Sequence, residues 1–297
     1  MRNESQVKKG YLNEDFRLFH LRDKKDLQFE YHFHDFNKLI IFYSGNVTYH
    51  IEGKAYKLKP YDILLVSTSE VHLPVIDSSE VYDRMVIYIN PLFLQKHKSD
   101  DCDLDECFKI AAREHRNLIR PGTAWFSNIS SLVSKLEEAV NSREFGSRIL
   151  SNAYFIALLV HINRLLLARD VINTAEDVTY DEITQKAIKY INDNLTGDLS
   201  IDNIANRLFI SKSYLMHKFK ESTGFTVYSY ILKKRLIRAK GLIDQGLPAI
   251  NACMECGFND YASFIRAFKR EFGLPPKTYY KDSKLFKKEY EEKKHYK

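Results

Sequence analysis

The chain has 297 residues, 44% of them hydrophobic, which is enough to bury cores in two domains. No uninterrupted apolar run approaches the 18 residues of a membrane span, and the first residues lack the apolar region of a signal peptide, so we expect a cytoplasmic protein with no membrane partner. Four cysteines are too few for a disulfide framework and are expected to be thiols.

The positive charge of the chain lies in its second part. Residues 181–297 contain 22 lysines and arginines against 14 aspartates and glutamates, which leaves 23 against 25 for residues 1–180. A net charge of +8 after residue 180 is typical of a surface that approaches phosphates, although surface lysines can also serve solubility alone.

Short β-type runs follow a polar stretch at the start of the chain. Residues 1 to about 28 are interpreted as a regulatory arm or a ragged start, with an early strand around Phe16 and Leu18. Between about residues 29 and 94, runs of aliphatic, β-branched and aromatic residues alternate with turn signals that contain glycine or proline. The runs are Leu39–Tyr43, Val47–Ile51, Ala55–Leu58, Ile63–Val66 and Arg84–Ile89. Their regular spacing predicts a small all-β barrel or a double-sheet jelly roll.

A set of positions in this region is similar to the cupin barrel. The positions are His32-Phe-His34, Gly45, Gly53, Pro60-x-Asp62 and His72. In catalytic cupins, two histidines, a downstream glutamate and a later histidine bind a metal ion. Lys38 occupies the position of that glutamate here, and an ammonium group cannot ligate a cation. The resemblance therefore implies a cupin-like barrel, whereas Lys38 leads us to expect no metal, no cofactor and no catalysis.

The same region can form a pocket for a small polar molecule. Neutral imidazoles offer a hydrogen-bond donor and an acceptor, and tyrosines offer a ring face and a hydroxyl. We predict a ligand with hydroxyls or an acidic group, such as a sugar or a sugar acid. The predicted ligand-binding residues are His32, His34, Lys38, Tyr43, Tyr49, His72 and Arg84. Alternatively, any one of the histidines caps a strand or faces solvent, and a one-residue change of register would turn Lys38 outward.

Two helices are predicted after a charged loop at residues 100–122. The first has apolar residues in helical phase from Ile129 to Val140, and the second, from about Arg148 to Arg169, is apolar on more than one face. A helix with two apolar faces needs two partners, one of which is the barrel. The other is either a second subunit or the rest of the same chain. We expect a homodimer in which residues such as Leu158 form the seam.

The chain is predicted to be an α+β protein of two domains. A polar segment without a strong period, residues 171–180, is interpreted as the linker. It divides a ligand-sensing and dimerisation domain, residues 1–170, from an all-α domain, residues 181–297. A helix at about Asp181 to Asn194 opens the second domain, and a lysine-rich tail from Ser283 closes it.

One helix-turn-helix pattern occurs twice in the second domain. In the first copy Ile201, Ile204, Ala205 and Leu208 follow Ser200, and in the second copy Ala249, Ala252, Cys253 and Cys256 repeat that spacing. Matching positions of the copies are 48 or 49 residues apart. A longer helix, about Thr226 to Ile243, is predicted between them. Because both cysteines fall on core-facing positions, we interpret them as buried hydrophobes rather than as a redox or metal pair.

The residues of the two copies resemble the DNA-binding domain of AraC/XylS-type transcription regulators, which often carry a cupin barrel in front. The resemblance rests on Ser211 to Gly224, Arg235, Ala239, Gly257-Phe-Asn-Asp, Phe264 to Lys269, Gly273 and Pro276, and it covers about 100 residues. Ala249, Ala252 and Tyr280 depart from the family, which has larger aliphatic residues at the first two positions and arginine at the third.

The resemblance implies a sequence-specific DNA-binding regulator controlled by a small molecule, with double-stranded DNA, an effector and RNA polymerase as partners. It implies that Ser213, Met216, His217, Tyr261, Ala262 and Arg266 face the DNA grooves, and that Lys220 and Lys269 contact phosphates. Two alternatives stay open. One is a metal-dependent cupin enzyme with a DNA-binding appendage, and the other is a ligand-independent regulator controlled by a protein partner.

Overall fold

The computed structural model describes residue 12 and residues 14–24, 29–68, 70–168 and 175–280, with the backbone alone at 123–127. The chain divides into two compact units, Met1–Tyr180 and Asp181–Lys297. The lysine-rich tail from Ser283 and residues 171–174 of the expected linker lie outside the described residues.

The described strands of the first unit form two antiparallel sheets. The strands are β1 (Phe16–Asp23), β2 (Asn37–Ser44), β3 (Asn46–Ile51), β4 (Lys54–Lys57), β5 (Ile63–Val66), β6 (His72–Asp77), β7 (Tyr82–Ile89), β8 (Leu118–Ile119) and β9 (Val178–Tyr180). One sheet has the order β1-β7-β2-β5-β8 and the other has the order β6-β3-β4-β9. These are the cupin-like sheets, but backbone pairing does not close them into a barrel within the described residues.

Side-chain alternation on the five-stranded sheet creates two hydrophobic cores. Ile40 and Phe42 pack between the two sheets, together with Tyr49 from the second sheet. Leu39 and Ile41 point the opposite way and pack under helices, in a second core that we call the helix-side core. The helices are α1 (Pro91–Lys96), α2 (Glu106–Glu114), α3 (Thr123–Asn141) and α4 (Ser147–Leu167). Each apolar residue of β2 from Leu39 to Tyr43 therefore packs in or against one core or the other according to its parity.

The prediction of a loop over residues 100–122 is wrong in part, because helix α2 and strand β8 form there. Phe108 and Ala111 of α2 are buried in the helix-side core. This burial depends on residues far away in the sequence, which local polarity cannot reveal. The acidic cluster before α2 is held by ion pairs, since Asp103 lies 3.0 Å from the Lys98 Nζ and 2.7 Å from the Lys109 Nζ. Burial opposes ionisation of Asp103, but hydrogen bonds from Lys109 and Lys98 lower its pKa to about 2.

Helix α4 finds both of its apolar partners within the first unit. It packs against α3 and contributes Phe155, Leu158 and Ile162 to the helix-side core. Leu158 is fully buried, so the expectation that it forms a seam between subunits is wrong. The exposed large apolar residues of α4 are Ile149, Leu150 and Leu167, which lie near its ends. Among the described helices α4 has the length and hydropathy of a membrane span, a property that buried core helices share.

The end of the expected linker belongs to the sheet. Strand β9 pairs with β4, with Ala55 opposite Thr179. A salt bridge fixes the residues just before it, because Asp177 lies 2.5 Å from the Arg120 guanidinium and 2.7 Å from the Lys59 Nζ. Asp181, directly after β9, caps the first helix of the second unit by accepting the Thr184 N–H at 2.7 Å.

The described part of the second unit is helical. Its helices are α5 (Glu182–Asp193), α6 (Ile201–Arg207), α7 (Lys212–Thr223), α8 (Val227–Asp244), α9 (Ala249–Glu255) and α10 (Tyr261–Phe272). Helix α8 is the predicted long helix and contacts α7, α9 and α10. It therefore forms a common support for the two helix pairs, α6–α7 and α9–α10. Cys253 and Cys256 are buried free thiols, and burial raises the pKa of both, that of Cys256 to about 11.

Candidate functional sites

Three histidines meet between the two sheets of the first unit. A pair of backbone hydrogen bonds of 3.1 and 2.8 Å joins His32 to His72 at the start of β6. The ring centres lie 4.3 Å apart for His32 and His72, 4.9 Å for His34 and His72, and 5.0 Å for His32 and His34. One ring nitrogen of each histidine lies within 4.8 Å of the others. The structure thus brings the three predicted histidines into one cluster.

Backbone carbonyls assign the tautomers of two of these rings. Nδ1 of His72 lies 2.9 Å from the Glu70 carbonyl, and Nδ1 of His32 lies 2.7 Å from the Glu30 carbonyl. Because a carbonyl can only accept, each Nδ1 carries the proton and each Nε2 carries the lone pair. The Nε2 atoms of His34 and His72 are buried and have no hydrogen-bond partner among the described residues.

Electrostatics keep His34 and His72 neutral at pH 7. Burial lowers the pKa of both His34 and His72 well below its usual value, and the positive charge of Lys38 lowers both further. An uncharged imidazole with an unused lone pair accepts a hydrogen bond or ligates a cation. The cluster therefore presents acceptors, with unmet bonding capacity at His34 and His72.

Lys38 adds a donor to the cluster. Its side chain points between the sheets and is 5% exposed, and its Nζ donates to the Tyr49 hydroxyl at 3.3 Å. The Tyr49 ring lies nearly parallel to the His72 ring, with centres 6.0 Å apart. Lys38 Nζ also lies 5.6 Å from the centre of the Tyr88 ring. Lysine, tyrosine and histidines together form a pocket lining with both donors and acceptors, which we call the histidine cluster (His32, His34, Lys38, Tyr49 and His72).

Tyr43 and Arg84 lie elsewhere, so the structure does not bring all the predicted residues together. Tyr43 packs against the helix-side core, because its position on β2 has the opposite parity to Lys38. Arg84 does face the space between the sheets, but it pairs with Phe42, four residues along β2 from Lys38, which is about 13 Å. Its guanidinium lies 2.9 Å from Asp23 and stacks on the Tyr82 ring.

Two aromatic residues at the cluster were missed by sequence reasoning. Phe36 stacks on His34 with ring centres 4.5 Å apart, and Tyr88 lies at the same distance from Phe36. Tyr88 shares the parity of Val86 and Arg84 along β7, and that alternation is the signal that could have identified it. The two rings form an apolar wall beside the polar groups.

The second unit presents two helix-turn-helix pairs built in the same way. Ser211 caps α7 by accepting the Tyr214 N–H at 3.2 Å, and Asp260 caps α10 by accepting the Ser263 N–H at 2.8 Å. Left-handed Gly224 and Gly273 end the two helices. Each helix buries one face, through Leu215 and Phe219 in α7 and through Phe264 and Phe268 in α10.

The predicted DNA-contacting residues lie on the opposite, outer faces of α7 and α10. The exposed residues are Ser213, Met216, His217, Lys220, Ala262, Arg266 and Lys269. Tyr261 is half-buried, since its ring lies 6.0 Å from that of Phe264. Arg266 is oriented by its own helix, because its guanidinium donates to the Ser263 hydroxyl at 2.9 Å. Two such helices with polar and basic outer faces have the form of a nucleic-acid interface.

Comparisons with known proteins give a family match in each part of the chain. A model of the AraC-like ligand-binding domain matches residues 18–120, and a model of a helix-turn-helix domain matches residues 204–282. A sensor domain before two helix-turn-helix motifs defines a DNA-binding transcription regulator with a ligand-binding domain. The chain belongs to the AraC family of such regulators.

Curated relatives extend over most of this chain. LumQ, a probable transcriptional regulator of Photobacterium leiognathi, is 25% identical over 251 residues, which cover 84% of this chain and 91% of that protein. The HTH-type transcriptional activator RhaS of Escherichia fergusonii is 23% identical over 84% of this chain and 86% of its own length.

Solved structures match one unit or both. The C-terminal domain of AraT from Geobacillus stearothermophilus is 26% identical and covers 34% of this chain and 86% of that chain, with a TM-score of 0.33. ToxT of Vibrio cholerae is 18% identical and covers 90% of this chain and 98% of that chain, with a TM-score of 0.34.

Proposed function

We propose that this regulator senses a small polyhydroxylated molecule, a sugar or a sugar acid, in the histidine cluster. The carrying observation is the pair of buried Nε2 atoms of His34 and His72, for which the described part of the chain offers no hydrogen-bond partner, next to the buried donor Lys38. A hydroxyl group can donate to an imidazole lone pair and accept from an ammonium group at once. Neighbouring hydroxyls on one small molecule would satisfy both kinds of group, and an acidic group would pair with Lys38.

The pocket is proposed to work without a metal ion and without catalysis. The three imidazoles could ligate a dication, but Lys38 supplies a positive charge close enough to lower the pKa of His34 and His72. Repulsion between this ammonium and a dication amounts to several kcal/mol in a partly buried site. No carboxylate is among the three clustered ligands to offset it.

A matched pair of tyrosines tests the pocket. After a thermal-shift screen of aldoses, aldonic acids and uronic acids, the best ligand is titrated into wild type, Tyr49→Phe, Lys38→Met and Tyr43→Phe. We expect Tyr49→Phe and Lys38→Met to weaken binding at least several-fold, and Tyr43→Phe, which lies in the helix-side core, to leave it unchanged. Equal affinity in all four proteins would place the effector site elsewhere. Stoichiometric zinc, iron or manganese in the purified protein would refute the metal-free pocket.

On DNA, each subunit is proposed to place α7 and α10 in successive major grooves. The grooves on one face are about 10 base pairs apart, so one subunit would cover roughly two turns of duplex. The support is the equal construction of the two helix pairs around α8. A DNase footprint on a duplex selected by the wild-type protein tests this, and protection of a single half-turn would refute the two-groove arrangement.

The last part of the proposal assigns effector sensing, dimerisation and DNA binding to parts of the chain. Residues 1–180, which include strand β9 at the end of the expected linker, would sense the effector and dimerise, and residues 181–297 would bind DNA in the cytoplasm and contact RNA polymerase. Dimerisation is assigned to the exposed end of α4, where Ile149 is 74% and Leu150 is 47% exposed. If binding to DNA and transcription respond to no small molecule, control by a protein partner replaces effector sensing.

A further inference from the structure

Phe209 adopts an unfavourable backbone conformation in the turn between α6 and α7. Its φ of 56° lies in the left-handed region, which bulky L-residues avoid because of steric contact with the backbone. The matching position of the second motif, 48 residues later, is Gly257 with a φ of 75°. Both turns therefore need a left-handed residue, and the first motif uses phenylalanine where the second uses glycine.

The ring of Phe209 gains almost no burial within its own unit. It is 95% exposed, whereas Phe258, which follows Gly257, lies 5.0 Å from the Phe264 ring. The conformational cost of Phe209 is therefore not offset by packing inside the unit. A strained and exposed aromatic residue indicates a contact with another molecule.

Local packing explains why the two turns differ. A Cβ atom at Gly257 would lie 3.1 Å from the Arg235 guanidinium carbon and 3.1 Å from the Thr196 Cα. Arg235 cannot move aside without losing two hydrogen bonds, which its guanidinium donates to the carbonyls of Leu195 at 2.9 Å and Gly197 at 2.8 Å. The second turn is closed to a side chain, while the first turn leaves its side chain in solvent.

The position of Phe209 relative to α7 identifies the external contact. The turn leads through the N-cap Ser211 into α7, and the N-terminal end of a recognition helix is the end that approaches base edges. The neighbouring Arg207 and Lys212 are exposed cations, although Lys212 is also paired with Asp202. An exposed aromatic residue with cations two positions before it and three positions after it in the sequence matches a nucleotide, with phosphates for the cations and a deoxyribose or thymine methyl for the ring.

We propose that Phe209 makes an apolar contact with bound DNA that the first motif has and the second motif lacks. This inference rests on the DNA-binding function of α7. The left-handed phenylalanine would lower the stability of the folded protein, and its contact with DNA would offset that cost in the complex. The first motif would then discriminate nucleotides at its edge by shape and by methyl groups, and the second motif would depend on Arg266.

Opposite effects on stability and on binding test the proposal. Phe209→Gly should raise the Tm by a few degrees, because glycine relieves the left-handed strain. The same substitution should weaken binding to a duplex selected by the wild-type protein by about tenfold. The slope of affinity against salt should stay unchanged, since the ring is neutral. Phe209→Asn should behave like Phe209→Gly, and Phe209→Trp should keep affinity within about twofold.

Controls separate this contact from general effects. Phe145→Gly removes an equally exposed phenylalanine from the first unit and should not change DNA affinity. Unchanged affinity of Phe209→Gly and Phe209→Asn would overturn the proposal. Unchanged affinity with lost transcription in a purified system would also overturn it, in favour of a contact with the transcription machinery. If the wild-type protein selects no duplex, the DNA-binding function itself fails, which is a distinguishable result.

Discussion

At the scale of single residues, the buried histidines make the first unit sensitive to acid. The pKa of His34 and of His72 is lowered by burial and by Lys38, so the unfolded chain takes up protons below about pH 6.5 that the folded chain refuses. Above the pKa of the unfolded chain both histidines are neutral in both states, and the free energy of unfolding has its full value. It decreases as the pH falls below that pKa. We expect the free energy of unfolding to fall between pH 7 and pH 5, by up to about 1.4 kcal/mol per pH unit for each histidine. Urea unfolding followed by fluorescence of Trp125, the single tryptophan, measures this.

His72→Gln and His20→Gln provide comparisons of opposite sign. His72→Gln should flatten the dependence on pH. Burial alone would lower the pKa of His20, but hydrogen bonds to Glu137 and Asp83 raise it, so His20 stabilises the folded state in acid and loses that contribution as pH rises. His20→Gln should therefore lower the free energy of unfolding below about pH 6.5 by a constant amount and leave its slope against pH there unchanged. A stability that is flat from pH 7 to pH 5 in wild type would contradict the lowered pKa of His34 and His72.

At the scale of elements, Arg120 fastens the segment before β9 to the sheets. It donates two hydrogen bonds of 2.7 Å to the fully buried Asp62 and one of 2.5 Å to Asp177. Hydrogen bonds from Lys59 and Arg120 lower the pKa of Asp177. Arg120→Met would leave Asp62 as a buried charge with fewer hydrogen-bond donors. The backbone N–H of Lys59, at 2.8 Å, would remain. We expect a loss of about 3–5 kcal/mol in the free energy of unfolding, measured by urea titration.

Arg113→Met is the matched control for Arg120→Met. Arg113 also pairs with a carboxylate, Glu114 at 3.4 Å, but its side chain is 65% exposed. An exposed pair is screened by water and salt, so this substitution should change stability by less than about 1 kcal/mol. Equal effects of the two substitutions would show that burial of Asp62 does not set the contribution of Arg120.

At the scale of the whole molecule, the distribution of charge predicts how DNA affinity responds to salt and sequence. Lys220→Ala and Lys269→Ala should each reduce the slope of log affinity against log salt by about 1 and weaken all sequences alike. Arg266→Ala should cost about 1–3 kcal/mol and relax the preference at one base position. Fluorescence anisotropy at several salt concentrations, with matched and mismatched duplexes, separates the two effects. A uniform loss for Arg266→Ala would mean that it contacts phosphate instead.

The subunit contact gives a second prediction at this scale. Ile149→Lys combined with Leu150→Lys should yield monomers in sedimentation velocity with an unchanged unfolding transition, because both residues are exposed. Leu158→Lys places a charge in the helix-side core and should instead unfold the first unit. An unchanged sedimentation coefficient for the double variant would remove this end of α4 from any dimer contact.

Local signals in the sequence determined much of this protein. Three signals each depend on neighbours within a few positions. They are the apolar runs that form β2, β3, β4, β5 and β7, the serines that cap helices, and the pattern of each helix pair, which recurs at an offset of 48 or 49 residues. The family resemblance follows from the same short-range pattern. For this reason the double helix-turn-helix and the outer faces of α7 and α10 could be predicted without coordinates.

Only the tertiary structure decided which of these residues meet. The parity of β2 sends Lys38 to the histidines and Tyr43 to the helices, and the register of β7 holds Arg84 about 13 Å away beside Asp23. Three further features depend in the same way on partners distant in the sequence. They are the burial of Leu158, the strand β9 in the expected linker, and the helix α2 in the expected loop. Each is fixed by side chains or strands from other elements of the chain, and a local pattern contains no information on such partners.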